Sequence, residues 1–91
     1  MNAVPEITEA QFFEMVDRYI AQANEFSKQF PQPQIIASML FAAARFNAHH
    51  WLNRTTEHAQ TVDQAAPLFA QEYEKMFRNN VDQLEASRAK N

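Results

Sequence analysis

The sequence of 91 residues contains no glycine and no cysteine, and each absence excludes a class of function. Without glycine, the chain cannot form a standard phosphate-binding loop, dinucleotide fingerprint, nucleophile elbow or EF-hand turn. Without cysteine, it has no disulfide, no thiolate nucleophile and no cysteine-ligated metal site. We therefore expect no cofactor, and the cysteine usage fits a reducing, intracellular environment.

Long apolar runs and an excess of positive charge are also missing. The longest nearly apolar stretch, residues 35–44, is about half of the ~20 residues that a membrane helix requires. Residues 1–20 lack the basic start and apolar run of a signal peptide. The net charge of -3 at pH 7 provides no basic stripe for a phosphate backbone. We expect a cytoplasmic protein that binds neither membrane nor nucleic acid.

What the chain does contain is the composition of a folded protein. Hydrophobic residues make up 46% of it and charged residues 21%, which is the balance of a globular chain and not of a disordered one. A chain of 91 residues has the size of one domain and is too short for two independent cores. The prediction is a single helical domain over residues 1–91.

A first helix is predicted over about residues 9–30. Thr8 and Gln11 have the spacing of a capping box, which satisfies free backbone N–H groups. Apolar side chains then recur at alternating steps of four and three, at Phe12, Val16, Tyr19, Ala23, Phe26 and Phe30. Pro31 and Pro33 end this helix, because proline lacks the N–H and disfavours a helical residue before it.

A second helix, over about residues 34–53, carries apolar residues around most of its circumference. Only Ser38, Arg45 and His49 gather on one polar side. We expect it to be the central and most buried helix. Asn53 is a candidate for its end, since asparagine tolerates the left-handed conformation.

A third helix, over about residues 62–86, follows a polar connection at residues 54–61. Its core face contains Phe69, Tyr73, Met76, Phe77, Val81 and Leu84. Thr61 and Gln64 repeat the capping-box pattern, but a start there places Pro67 in the second turn. A start near Ala66 places Pro67 at the permitted first position. We expect a start between Thr61 and Ala66, with irregular backbone before Pro67.

The three helices predict an all-α fold, an antiparallel three-helix bundle. Helices one and two should be antiparallel neighbours because their connection is short. Phe41 and Leu52 widen the apolar arc of helix two beyond what two neighbouring helices cover. This predicts a homodimer through helix two and part of helix one or three. In the alternative, the end of helix three or residues 1–7 cover the arc within one chain.

Three segments resemble a known family. They are Phe41-Ala42-Ala43-Ala44-Arg45-Phe46-Asn47-Ala48, the pattern from Gln11-Phe12-Phe13 through Asp17-Arg18-Tyr19-Ile20 to Ala23-Asn24, and Glu72-Tyr73 with Lys75-Met76. Together they resemble a family of short proteobacterial proteins known as a domain of unknown function, whose alanine-rich segment closes in Arg-Phe-Asn. The resemblance covers roughly residues 9–84. It implies a small helical cytoplasmic protein and brings no activity, cofactor or ligand.

Asn47 is the most informative single residue, because it falls within the apolar arc of helix two. A buried amide needs hydrogen-bond partners. Asn47 either bonds across the bundle and fixes helix register, as a buried asparagine does in coiled coils, or contacts a ligand. We favour the structural role and expect Asn47 to be buried and bonded within the protein.

The same end of helix two also carries His50, Trp51 and Arg54. With Asn47, these residues are the candidate lining of a small-ligand pocket with aromatic walls. A metal site would combine His50 with Glu57 and His58, but a spacing of eight between the histidines does not suit a compact helical site. We therefore expect no metal.

The candidates for catalysis are few. Ser27, Ser38 and Ser87 are not near a histidine in a triad pattern, and the charged runs are typical of solvated helix faces. The hypothesis that we favour is a helical interaction or structural module without catalytic activity, whose partner is a second copy or another protein. The alternatives are a small-ligand binder at Asn47, His50 and Trp51, or an uncharacterised enzyme.

Overall fold

The computed structural model describes residues 6–53 and 60–89 and contains three α-helices in those ranges. These are α1 at Glu9–Phe26, α2 at Gln32–Leu52 and α3 at Val62–Ala89. No strand occurs within the described ranges. The predicted all-α class with three helices is therefore confirmed. The chain divides into two compact units, residues 1–53 with α1 and α2, and residues 54–91 with α3.

The start of α1 is the predicted capping box. The backbone N–H of Gln11 donates to Oγ1 of Thr8 at 3.0 Å, and the N–H of Thr8 donates to Oε1 of Gln11 at 2.9 Å. Each side chain satisfies a backbone group that the first turn of a helix leaves free. The register of α1 is thus set by two residues that the sequence alone identifies.

The end of α1 comes at Phe26, earlier than the predicted residue 30. The N–H groups of Lys28 and Gln29 donate to carbonyl oxygens three residues back, at 3.2 and 3.0 Å. Bonds of this kind tighten the last turn out of α-helical geometry. The chain then reaches Pro31, whose backbone is extended at φ -68° and ψ 149°.

The second helix begins at Gln32, two residues before its predicted start. Pro33 is tolerated there because N–H groups in the first turn have no partner within the helix. The helix ends at Leu52, and the N–H of Asn53 donates to the carbonyl oxygen of His49 at 3.0 Å. Asn53 has φ -86° and ψ -2°, so it closes α2 without adopting the left-handed conformation.

The third helix begins at Val62 and continues through Pro67. The expectation of irregular backbone before Pro67 is therefore wrong. Thr61 and Gln64 form both bonds of a capping box, at 3.0 and 3.2 Å, and the N–H of Ala65 donates to the carbonyl oxygen of Thr61 at 2.9 Å. These bonds fix the first turn and outweigh the single bond that Pro67 cannot make. Most of the predicted connection at residues 54–61 lies outside the described residues.

Burial is sparse in the described part of the chain. Only Ile35, 4% exposed, and Ala65, 6% exposed, count as buried there. α1 and α2 approach each other closely at few positions, and Ile35 lies in the first turn of α2. α2 contains the buried Ile35 and the half-buried Trp51, while its other described residues are exposed, so a central position of α2 in a bundle stays a prediction.

Candidate functional site

The four predicted site residues have different surroundings. Asn47 and His50 are exposed, Trp51 is half-buried, and Arg54 lies outside the described residues. The prediction that Asn47 is buried and bonded within the protein is wrong. Asn47 lies about four turns along α2 from Gln32, and its side chain is exposed there. An apolar arc that wraps around most of a helix also does not identify which side faces inward.

The structure places an open groove on another face of α2. Its volume is about 400 Å³, and its lining comes from one face of the helix: Phe41, Ala44, Arg45, Ala48, His49 and Leu52. These positions recur at steps of three and four, so they lie side by side along the helix. We call this surface the α2 groove. At 3.6 residues per turn, Asn47 and His50 lie roughly on the opposite side of the helix.

The α2 groove combines apolar surface with positive charge. Cζ of Arg45 lies 5.9 Å from the centroid of the Phe41 ring, in cation–π geometry. Phe41 and Leu52 are 64% and 70% exposed. The sequence had pointed to both as an extension of the apolar arc. The helical wheel places Arg45 and His49 on a polar side of α2. It does not show that Phe41 and Leu52 are their neighbours.

Charge is distributed unevenly among the helices. α2 contains no aspartate or glutamate, while α1 carries four acidic residues and α3 carries five. The ion pairs among described residues are exposed and lie within one helix or its end: Arg18 with Glu14, Lys28 with Glu25, Lys75 with Glu72, and Arg78 with Glu74. Arg45 forms no ion pair with a described residue. Its positive charge is therefore available to a carboxylate from outside α2.

The candidate nucleophiles and metal ligands among the described side chains are serine hydroxyl groups, histidines and carboxylates. Oγ of Ser27 donates to the carbonyl oxygen of Asn24 at 2.6 Å, and Oγ of Ser38 donates to that of Ile35 at 2.8 Å. Both hydroxyl groups thus serve the local backbone. In residues 6–53 and 60–89, no group of three histidines or carboxylates is arranged to hold a metal ion. Glu57 and His58, which the sequence offered for a metal site, are outside those ranges.

Neither of the first two helices, nor α3 over its described length, has the length and apolarity needed to cross a membrane.

Comparison with known families gives one match. A family model described as "Protein of unknown function (DUF3144)" matches residues 12–84, which is most of the chain. The predicted resemblance to a domain of unknown function is confirmed by this match. No curated protein and no solved structure matches the chain.

Proposed function

The chain belongs to this family of proteins of unknown function, and we propose that it acts as a helical association module that forms a homodimer through α2. The observation that carries the proposal is the exposed apolar surface of α2. Phe41 and Leu52, 64% and 70% exposed, lie together on one face of this helix, and Phe46, 77% exposed, lies on a different face. Monomeric proteins seldom expose contiguous apolar surface of this kind.

The energetics also favour association. Burying one large apolar side chain contributes about 1.5–3 kcal/mol, and Ile35 is the only residue of α1 or α2 that counts as buried. With Ile35 alone buried in α1 and α2, the core formed by these two helices is small, and oligomerisation is one common remedy for a small core. A second copy supplies a matching apolar surface without requiring any other molecule.

The proposed dimer has twofold symmetry, the commonest arrangement for soluble oligomers. Within it we expect the helices to pack as an antiparallel bundle, since the turn between α1 and α2 is short. The proposal includes a bacterial, cytoplasmic setting and no catalytic activity. The absence of catalytic activity is proposed because apolar side chains and Arg45 make up most of the groove, with His49 as its one imidazole.

Sedimentation equilibrium at micromolar concentration tests the proposal. The wild-type chain should show the mass of a dimer, and Phe41→Glu should shift it towards the monomer. Phe41→Leu is the matched control, because it keeps an apolar side chain and should keep the dimer. Far-UV circular dichroism of each variant verifies that the helices persist. A wild-type chain that sediments as a monomer throughout the concentration range contradicts the homodimer.

A further inference from the structure

We propose that the occupant of the α2 groove is α3 of the second copy, with Glu85 of that helix beside Arg45. The inference rests on the proposed homodimer and adds which helices meet in it.

Charge argues against two α2 helices meeting through their grooves. When two facing helices run antiparallel, equivalent flanks lie on the same side of the contact, so Arg45 would meet its own copy. Like charges placed together weaken a contact. Reversing one helix does not help, because α2 has no carboxylate to offer Arg45. The complementary charge has to come from another helix.

The shape of the groove favours a helix with larger side chains. Ala44 and Ala48 lie between Phe41 and Leu52 along the face, so the middle of the groove is low and its ends are high. Small residues opposite large ones let two helices interdigitate. α3 presents such side chains at steps of four and three, namely Phe77, Val81 and Leu84, and all three are exposed.

α3 is the longest of the three helices. A shorter helix therefore cannot cover the whole of its apolar stripe, the face that contains Phe77, Val81 and Leu84. α3 has 28 residues, α2 has 21 and α1 has 18. At 1.5 Å per residue, α3 is longer than α2 by about 10 Å, or about two turns. Neither helix of the first unit is long enough to match all of α3. Leu84 and Glu85 lie in the last two turns of α3.

Glu85 is the acidic residue of α3 best placed for Arg45. On a helical wheel, Glu74 and Glu85 lie on the same flank of the stripe that contains Val81. Nε of Arg78 already donates to Glu74 at 2.8 Å, whereas Glu85 forms no ion pair with a described residue. In an antiparallel pair this flank meets the flank of α2 that carries Arg45 and His49. Twofold symmetry repeats the contact, so each copy gives one groove and one α3.

Mixing two charge-reversed chains tests the pairing directly. Arg45→Glu alone places two carboxylates together at each contact, and Glu85→Arg alone places two guanidinium groups together. By sedimentation equilibrium, each variant should dimerise roughly tenfold more weakly than the wild type, since two exposed contacts change sign per dimer. An equimolar mixture pairs opposite charges at both contacts and should regain the wild-type affinity. Asp82→Arg is the matched control, with the same charge change away from the stripe, and should dimerise like the wild type.

The other outcomes separate the two proposals. A monomeric wild-type chain overturns the homodimer and this pairing together. A wild-type dimer that Phe41→Glu dissociates, while Arg45→Glu and Glu85→Arg behave like Asp82→Arg, overturns only the pairing of α2 with α3. Weakening by Arg45→Glu with no effect of Glu85→Arg also overturns it and indicates that Arg45 meets a carboxylate other than Glu85. If each variant is weak and the mixture stays weak, the two charges do not meet between copies, and the pairing is again overturned.

Discussion

The side chain of Asn47 is exposed on α2 and forms no hydrogen bond with a described residue. Asn47→Ala therefore removes no buried partner, and alanine has the higher helix propensity by about 0.5 kcal/mol. We expect the free energy of unfolding, measured by urea denaturation, to stay the same or rise slightly. If Asn47→Ala lowered the free energy of unfolding by more than about 1 kcal/mol, the Asn47 amide would be buried and hydrogen-bonded, as the helical wheel suggested.

Thr8 closes the first turn of α1 through its hydroxyl oxygen, 3.0 Å from the backbone nitrogen of Gln11. Thr8→Ala removes this acceptor and should lower the free energy of unfolding by about 1 kcal/mol. Thr8→Ser keeps a hydroxyl at the same position and should preserve most of the stability. Thermal unfolding followed by circular dichroism compares the two variants. Equal melting temperatures would show that the capping bonds contribute nothing in solution.

The contrast between Thr8 and Asn47 shows what the sequence can predict for a single residue. The partner of Thr8 is three positions away, so the capping box follows from spacing alone. The burial of Asn47 depends on which helix lies against it, and a wheel with apolar residues on nearly every side does not specify that helix. The other site candidates, His50 and Trp51, share this uncertainty of face, and their role in ligand binding stays a prediction.

At the scale of the element, Pro67 lies inside α3 and removes one backbone bond from it. Pro67→Ala restores an N–H that can donate to the carbonyl of Asp63, and it should raise the free energy of unfolding by about 1–3 kcal/mol. Pro33→Ala is the matched control. Pro33 lies in the first turn of α2, where no such bond is lost, so the change should be small.

Hydrogen exchange of α3 amides measures this effect locally. The amides after residue 67 should exchange more slowly in Pro67→Ala than in the wild type, because opening of the helix becomes less favourable. Unchanged exchange together with an unchanged melting temperature would mean that Pro67 is not a weak point of α3.

Helix ends were predictable to different degrees. The starts of α1 and α3 follow from Thr8 and Thr61, because each box is local in sequence. The end of α1 was predicted too late, since Phe30 fits the apolar spacing although it directly precedes Pro31. Periodicity reports which residues share a face, but it does not report where the hydrogen bonds change from α-helical to tighter geometry.

At the scale of the whole molecule, the sequence indicated an apolar excess on α2 but not the surface that it forms. Phe41 and Leu52 were recognised as apolar residues in excess, and both line the α2 groove. The helical wheel places Arg45 and His49 on the polar side of α2, and both line the same groove. The structure was needed to show that Arg45 and His49 are next to Phe41 and Leu52. The energetic contribution of a charge beside an apolar face depends on the partner that contacts it.

The last prediction concerns the dependence of stability on protein concentration. Ile35 and Ala65 are the buried residues of the described chain, so in the proposed homodimer most of the apolar stabilisation comes from association. Folding and dimerisation are then coupled, and the melting temperature rises with concentration by mass action. A hundredfold increase in protein concentration stabilises the folded dimer by about 2.7 kcal/mol. Divided by the unfolding entropy of two chains of this size, that free energy corresponds to a rise in melting temperature of about 5–10 °C.

Circular dichroism melts at the two concentrations measure the shift. Phe41→Glu is the comparison, since a chain that no longer pairs should have the same melting temperature at both concentrations. Identical melting temperatures for the wild type at both concentrations would place its stability within the single chain.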